Sequence, residues 1–381
     1  MLRILHVIGS MECGGAETMI MNIYRNIDRT KVQFDFVLHT QKVGLYEAEI
    51  LKLGGKIYRT NKYTVLNFIQ YKKWWNTFLN EHGEYRIIHG HINSSAAIYL
   101  SVAKKRGLKT IVHSHATKNN ERSLRNLVFQ IMSYPIRFIA DYFMACSRQA
   151  GIDRFGSKIV ESEHFRVLAN GIDVRKYKFC KNKRVEIRKE LEISDEVFAI
   201  CHVGRFTYAK NHDFAIEIFL EILERKSNAM FFLFGDGELK NLIEKKVKQY
   251  GVEDKIKFMG IKNNIYDYLQ GMDCFLFPSL FEGLGIALIE AQATGLRCVV
   301  SEAIQKEADI KAGLVEYLPL MSEKVDVWAE KCCEACEFKD RIDVSEKVIA
   351  AGYDIYNSAY EIMKFYLEFT NDLESNKKNK I

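Results

Sequence analysis

Short apolar runs and longer stretches of helical apolar spacing alternate along the whole chain. Leu2–Ile8, Phe34–His39, Ile87–His89, Thr110–His113 and Tyr142–Cys146 read as strands. Between them, segments such as Ser94–Arg106 and Arg122–Ala140 repeat apolar residues every three to four positions. A second series follows the turn signal Asn170-Gly171, with strands at Phe198–Val203, Ala229–Phe234, Ile256–Met259, Cys274–Phe277 and Cys298–Ser301. Regular alternation of this kind predicts parallel sheets covered by helices, hence an α/β chain of two Rossmann-like domains, 1–169 and 170–352. Ligands in such sheets bind beyond the carboxyl ends of the strands, so the site is expected in a cleft between the two. Tyr353–Phe369 has helical spacing and many aromatics and must pack on something, whereas the polar, lysine-rich stretch 371–381 reads as a disordered tail. No repeat of solenoid period is visible.

Composition narrows the class. With 381 residues, 48% hydrophobic and 27% charged, the chain has the make-up of a soluble globular protein, and no run reaches the length of a membrane-spanning helix. The first residues, Met1 to Ile8, read as a strand without a small-residue cleavage site rather than as a signal peptide. Nine cysteines, odd in number and scattered, read as reduced thiols of a cytosolic protein. Cys332-Cys333-Glu334-Ala335-Cys336 lacks a second ligand pair and reads as helix, not as a zinc or redox motif. The net charge of +6 is uneven: residues 1–170 hold 24 Lys+Arg against 13 Asp+Glu, and the rest hold 31 against 36. A basic first half points to an anionic partner such as a phospholipid surface or a lipid diphosphate. Nucleic acid is not expected, since no aromatic-interleaved basic module is present. Arg122–Ala140, with three arginines beside an apolar stripe, reads either as an interfacial helix or as a helix packed into the core. The expected location is the cytoplasm, with contact at the inner face of the cell membrane.

Candidate chemistry sits where strands end. Phe281-Glu282-Gly283-Leu284-Gly285-Ile286-Ala287-Leu288-Ile289-Glu290 places two glutamates eight residues apart across a glycine-bearing helix start. Eight residues of helix span about 12 Å, comparable to the reach from a donor sugar to a nucleotide ribose, and the uncovered N–H groups suit a diphosphate. Gly204-Arg205-Phe206-Thr207-Tyr208-Ala209-Lys210-Asn211 follows the first strand of the second series. Arg205 and Lys210 there fit the charge of a departing nucleoside diphosphate. Gly235-Asp236-Gly237 borders the same rim, with Asp236 read either as a helix N-cap or as a nucleotide neighbour. Gly14-Gly15-Ala16-Glu17 opens a helix after the first strand and reads as a tight turn or as a close approach to phosphate; it is neither a dinucleotide fingerprint nor a P-loop. His89-Gly90-His91 and His113-Ser114-His115 invite a metal reading. No Asp-x-Asp stands by to hold a divalent ion on a diphosphate, so the preferred reading is no metal. Instead, cleft histidines would hydrogen-bond sugar or acceptor, with His115 foremost and at least one of the four buried.

Taken in order, these elements resemble the retaining GT-B glycosyltransferases of family 4. The matching residues are Gly-Gly-x-Glu at 14–17, the histidine at 115, Asn-Gly-Ile-Asp at 170–173, Gly-Arg-x5-Asn at 204–211 with Lys210, Gly-Asp-Gly at 235–237 and Glu-x7-Glu at 282–290. The resemblance covers nearly the whole chain. It implies two Rossmann-like domains facing across a cleft, and metal-independent transfer of a sugar from a nucleotide-sugar with retention at the anomeric carbon. By that analogy no cofactor is needed, Arg205 and Lys210 hold the diphosphate, Glu282 binds sugar hydroxyls and Glu290 binds the ribose. The backbones of Gly15, Gly283, Leu284 and Gly285 face phosphate or sugar, with Gly14, Gly204, Gly235, Asp236 and Gly237 around the donor and His115 on the sugar and acceptor side. The donor expected is a UDP-sugar, and the acceptor a glycan or a lipid-diphosphate-linked sugar held by the N-terminal domain. The segment Ser301–Ala308 looks like the branch that builds capsular or exopolysaccharide repeat units. A nucleotide-sugar epimerase of the same architecture and a non-catalytic partner subunit are the alternatives. The loops expected to choose the acceptor are 40–65 and 116–125.

Overall fold

The structure is a computed structural model describing all residues except 13, 116–123, 322–323, 336, 339 and 379–381; at 124–127, 129 and 371–378 only the backbone is described. The chain divides into two compact units, Met1–Gly171 with Asp354–Ile381, and Ile172–Tyr353.

In the first unit seven parallel strands form one sheet: β1 (Leu2–Ile8), β2 (Val32–Leu38), β3 (Ile57–Arg59), β4 (Ile87–Gly90), β5 (Lys109–Ser114), β6 (Tyr142–Ala145) and β7 (Phe165–Val167), in the order β3-β2-β1-β4-β5-β6-β7. β2 is buried along its whole length and β1 along most of it, as strands covered on both faces must be. Asp35, the charged residue within β2, is reconciled with burial by Arg3 at 2.5 Å, the Tyr85 hydroxyl at 2.9 Å and the Lys56 N–H at 2.7 Å. One sheet face packs Ile4, Ile8, Ile87 and Ile111 against the helix Gly15–Asn26 and against Ile355, Ala359, Ile362, Met363 and Tyr366. These last residues belong to the long helix Ile355–Lys378, so the final aromatic segment packs on the first sheet. That helix continues into the stretch expected to be a disordered tail, of which 379–381 lie outside the described residues. The other sheet face packs Leu5, Val7, Ile88 and Val112 on Trp75, Phe78 and Tyr99.

The second unit repeats the design with β8 (Phe198–Val203), β9 (Ala229–Phe234), β10 (Ile256–Gly260), β11 (Cys274–Phe277), β12 (Arg297–Ser301) and β13 (Val315–Leu318), ordered β10-β9-β8-β11-β12-β13 and parallel throughout. In both sheets strand order reverses beside the first strand, between β1 and β4 and between β8 and β11. The carboxyl ends of those strands are therefore the switch points at which open sheets bind ligands.

The structure departs from the sequence reading at sheet edges and at one helix. β3, β7 and β13 were not expected; each has three or four residues and is mostly half-exposed, so none carries an apolar run. The helix expected over 122–140 is two helices, Leu124–Ser133 and Ile136–Ile139, divided at Tyr134-Pro135 because proline lacks the N–H and clashes with the preceding turn. No described helix is long and apolar enough to cross a membrane.

Candidate functional site

Most of the residues that the resemblance assigns to the donor assemble at the switch point of the second sheet. β8 delivers the chain into the loop 204–211, which closes in a 3-10 turn at Tyr208–Lys210. Gly204 packs closely, since a Cβ there would lie 3.0 Å from Cδ and Cε of Lys210 and would press on that side chain. Asn211, left-handed at φ 53°, starts the helix His212–Arg225 and donates from Nδ2 to the Pro278 carbonyl at 3.1 Å. The Leu280 N–H donates to the Ala209 carbonyl at 2.8 Å. The loops after β8 and β11 are thereby stitched together, bringing residues 72 positions apart into contact. Lys210 Nζ donates to Glu282 Oε1 at 2.6 Å and stands 4.7 Å above the Phe277 ring. Arg205, one residue past Gly204, is exposed, and its guanidinium has no ion-pair partner among the described residues.

The second glutamate is close to the same charge. Glu290 accepts a 2.5 Å hydrogen bond from the Tyr177 hydroxyl. Desolvation pushes its carboxyl up to about 7, while the Tyr177 bond and the Lys210 charge pull the other way. Glu282 and Glu290 are not joined by eight residues of helix. The helix is Ile286–Ala293, and Gly285 precedes it in the left-handed region at φ 89°. Glu282 stands in the loop before it, so helical rise does not set the separation of the two carboxylates. Leu284 is buried, so its side chain belongs to the packing and not to the rim.

Gly235 and Gly237 serve the approach of two backbones. A Cβ on Gly235 would lie 2.0 Å from the Gly204 carbonyl oxygen, and one on Gly237 would lie 2.5 Å from that of Phe206. Asp236 does not cap a helix: the next one, Lys240–Gln249, is preceded by Leu239. Its carbonyl instead accepts the Phe206 N–H at 3.0 Å, and its exposed carboxylate accepts the Gly237 N–H at 2.9 Å.

In the first unit Gly14 precedes the helix Gly15–Asn26, and a Cβ on Gly15 would meet nothing within 4 Å, so the backbone there is open to an incoming group. The histidines at the ends of β4 and β5 form a stack. His89 and His113 are buried, and His91 and His115 are half-buried at the rim. His91 Nδ1 lies 2.7 Å from His115 Nε2, and His91 Nε2 lies 3.0 Å from Nδ1 of His6 on β1. Burial lowers the His115 imidazole to about 4. The nitrogens of His91, His113 and His115 approach one another closely enough to share an ion, a grouping that the sequence reading set aside.

Sequence reasoning missed Tyr177, His6, the buried pair His202 and His212 beneath Lys210, and Tyr366, whose hydroxyl lies 2.7 Å from His89 Nδ1. Only His6 left a signal, as a polar residue within the apolar run Ile4–Ile8. The seven described cysteines are free thiols; residues 13 and 336 lie outside that description. Part of the loop 116–125, expected to choose the acceptor, is likewise outside it.

Two family descriptions match the chain: "Glycosyltransferase Family 4" over residues 13–176 and "Glycosyl transferases group 1" over residues 183–312. EpsF of Bacillus subtilis, named as a glycosyltransferase, is 32% identical over 372 residues, which is 96% of each chain. The Staphylococcus aureus capsular polysaccharide biosynthesis glycosyltransferase CapH is 22% identical over 97% of this chain and 100% of its own. Among solved structures, Anabaena HepE in complex with UDP superposes with a TM-score of 0.79 at 17% identity, covering 96% of this chain and all of that one. That likeness shows the fold, and the sequence match over nearly full length shows the family: the chain belongs to the group 1 glycosyltransferases and has their two-domain α/β GT-B fold.

Proposed function

We propose that this glycosyltransferase moves a sugar from a UDP-sugar to a glycan or lipid-diphosphate-linked acceptor, without a metal on the diphosphate and with retention at the anomeric carbon, in the synthesis of a bacterial surface polysaccharide. The observation that carries the reading is the switch-point cluster of the second sheet, where the exposed Arg205 and the Lys210–Glu282 pair stand beside Glu290. The UDP bound by HepE and the capsular role in the name of CapH support the choice of donor and product class.

The chemistry follows from charge. When the bond between the anomeric carbon and the phosphate oxygen breaks, the ring gains oxocarbenium character and the diphosphate gains negative charge. Arg205 forks phosphate oxygens and Lys210 adds a compact charge, which stabilises the leaving group. As Lys210 turns to the diphosphate, the Glu282 carboxylate is released to accept from sugar hydroxyls. Glu290, already tuned to accept from a hydroxyl by Tyr177, takes the ribose. The acceptor hydroxyl attacks from the face the phosphate leaves, and the departing phosphate oxygen receives its proton.

For the acceptor, the first unit offers its basic surplus and exposed apolar side chains: Val65, Leu66, Phe68 and Ile69 in one stretch, and Val128, Ile131, Tyr134 and Phe138 in another. Both suit peripheral contact with an anionic membrane bearing a lipid-linked sugar. The test is a thermal-shift panel of UDP, GDP, ADP and CMP on wild type and Arg205→Ala. UDP should stabilise wild type by about 2.7 kcal/mol at a hundredfold excess over its dissociation constant, and the gain should shrink in the variant. Equal response to all four, or to none, overturns the donor assignment. Product stereochemistry by NMR, and turnover maintained in EDTA, test retention and metal independence.

A further inference from the structure

Five imidazoles crowd one face of the first sheet at its switch point: His6 on β1, His89 and His91 at the end of β4, His113 and His115 at the end of β5. β1 and β4 pair His6 with His89, and the two-residue strand period keeps each His-x-His pair on the same face. Ring centroids are 4.5 Å apart for His89–His91, 4.1 Å for His113–His115 and 5.0 Å for His91–His115.

The hydrogen bonds of this stack do not close. His6, His91 and His115 form a chain with two contacts, and its outer nitrogens, His6 Nε2 and His115 Nδ1, are buried without a partner among the described residues. His113 is fully buried with neither nitrogen bonded to a described residue. Unsatisfied buried nitrogens are costly and uncommon. One donor nitrogen from each of His91, His113 and His115 lies within 4.8 Å of the others.

We propose that His91, His113 and His115 form a binding site for one divalent transition-metal ion of the zinc class. Three imidazoles on a half-open rim are a donor set that leaves a fourth position for water or another ligand. Nitrogen donors select zinc, cobalt, nickel or copper over magnesium and calcium, which prefer oxygen. The 2.7 Å gap between His91 Nδ1 and His115 Nε2 must open to about 3.3 Å for two ligands of one tetrahedral zinc, a shift of a fraction of an ångström. His91 then donates its remaining Nε2–H to His6 Nδ1 at 3.0 Å, the outer contact that fixes a ligating imidazole in one tautomer.

The test uses tag-free, full-length protein stripped of metal and titrated with Co2+ at micromolar concentration. The expected result is one ion per chain, ligand-field absorption of a four-coordinate site, displacement by Zn2+ and none by Mg2+. His91→Ala and His115→Ala, both at half-buried positions, should weaken binding by about 100-fold or more, and His6→Ala by about 10-fold. His164→Ala, at an exposed site, should bind as wild type. A thermal melt confirms that each variant is folded, and if His91→Ala is not, His115→Ala decides. No uptake by wild type, or undiminished uptake in folded His115→Ala, overturns the proposal. The readout needs no sugar donor, so it stands or falls apart from the transfer reaction.

Discussion

At the scale of single residues, the two cations and the second glutamate make separable predictions. Arg205→Ala and Lys210→Ala should each lower turnover by about 100-fold or more through lost leaving-group stabilisation, with circular dichroism unchanged; near-normal turnover in both would remove them from the mechanism. Glu290 behaves oppositely to a salt-bridged carboxylate. Its folded pKa of about 7 lies above the ordinary 4.5, so between those values the native chain holds a proton the unfolded chain has lost. Native stability therefore falls as pH rises through that window and stays reduced above it. Glu290→Gln keeps an oxygen for the Tyr177 hydroxyl and removes that cost. Its melting temperature should exceed that of wild type at pH 8 by several degrees and match it near pH 4.5, while its response to UDP is lost. The glutamates, Lys210 and the glycines could be read from the sequence because they recur at short spacings beside strand ends. Tyr177 could not, because it lies 113 residues from its carboxylate partner, and only the fold sets the two side by side.

At the scale of elements, glycines that look alike in sequence do different work. Gly235→Ala must adopt φ 137° with a methyl 2.0 Å from the Gly204 carbonyl oxygen. It should lose about 1–3 kcal/mol in urea unfolding and weaken UDP binding, because the loops after β8 and β9 move apart. Gly15→Ala meets open space at a helix start, so its stability should be unchanged and any loss should appear in turnover alone. The divided helix pair around Pro135 exposes Val128, Ile131 and Phe138. Changing all three to glutamate should reduce sedimentation with anionic vesicles several-fold and leave UDP binding intact; unchanged sedimentation would assign the lipid contact elsewhere. Central strands were legible because burial on both faces leaves an uninterrupted apolar run, as in Ala229–Phe234. Edge strands such as Ile57–Arg59 and Phe165–Val167 were not, since pairing on one side asks little of their side chains.

At the scale of the whole molecule, buried neutral histidines set an acid limit. His39, His202 and His212 are held below the ordinary imidazole range chiefly by desolvation, His39 and His212 at about 4. As pH falls below 6.5 the unfolded chain takes up protons that the native chain refuses, so stability is lost downward through the window between 6.5 and the folded values. Each histidine accounts for up to about 2 kcal/mol at pH 5, and urea midpoints of the Glu290→Gln variant, which lacks the opposing carboxyl, should fall from pH 7 to pH 5; equal midpoints in that variant would show that these rings are solvated.

The return of the last helix to the first sheet has a consequence for synthesis. The second unit is one continuous stretch, Ile172–Tyr353, whereas the first is completed only by residues after it. At about 5–20 residues per second, a ribosome that has just made Gly171 needs roughly 10–40 seconds to begin that helix. Throughout that interval the apolar face built from Ile4, Ile20 and Ile111 lacks the cover of Ile362 and Tyr366. The nascent first unit thus carries an open apolar face until the final helix emerges and docks.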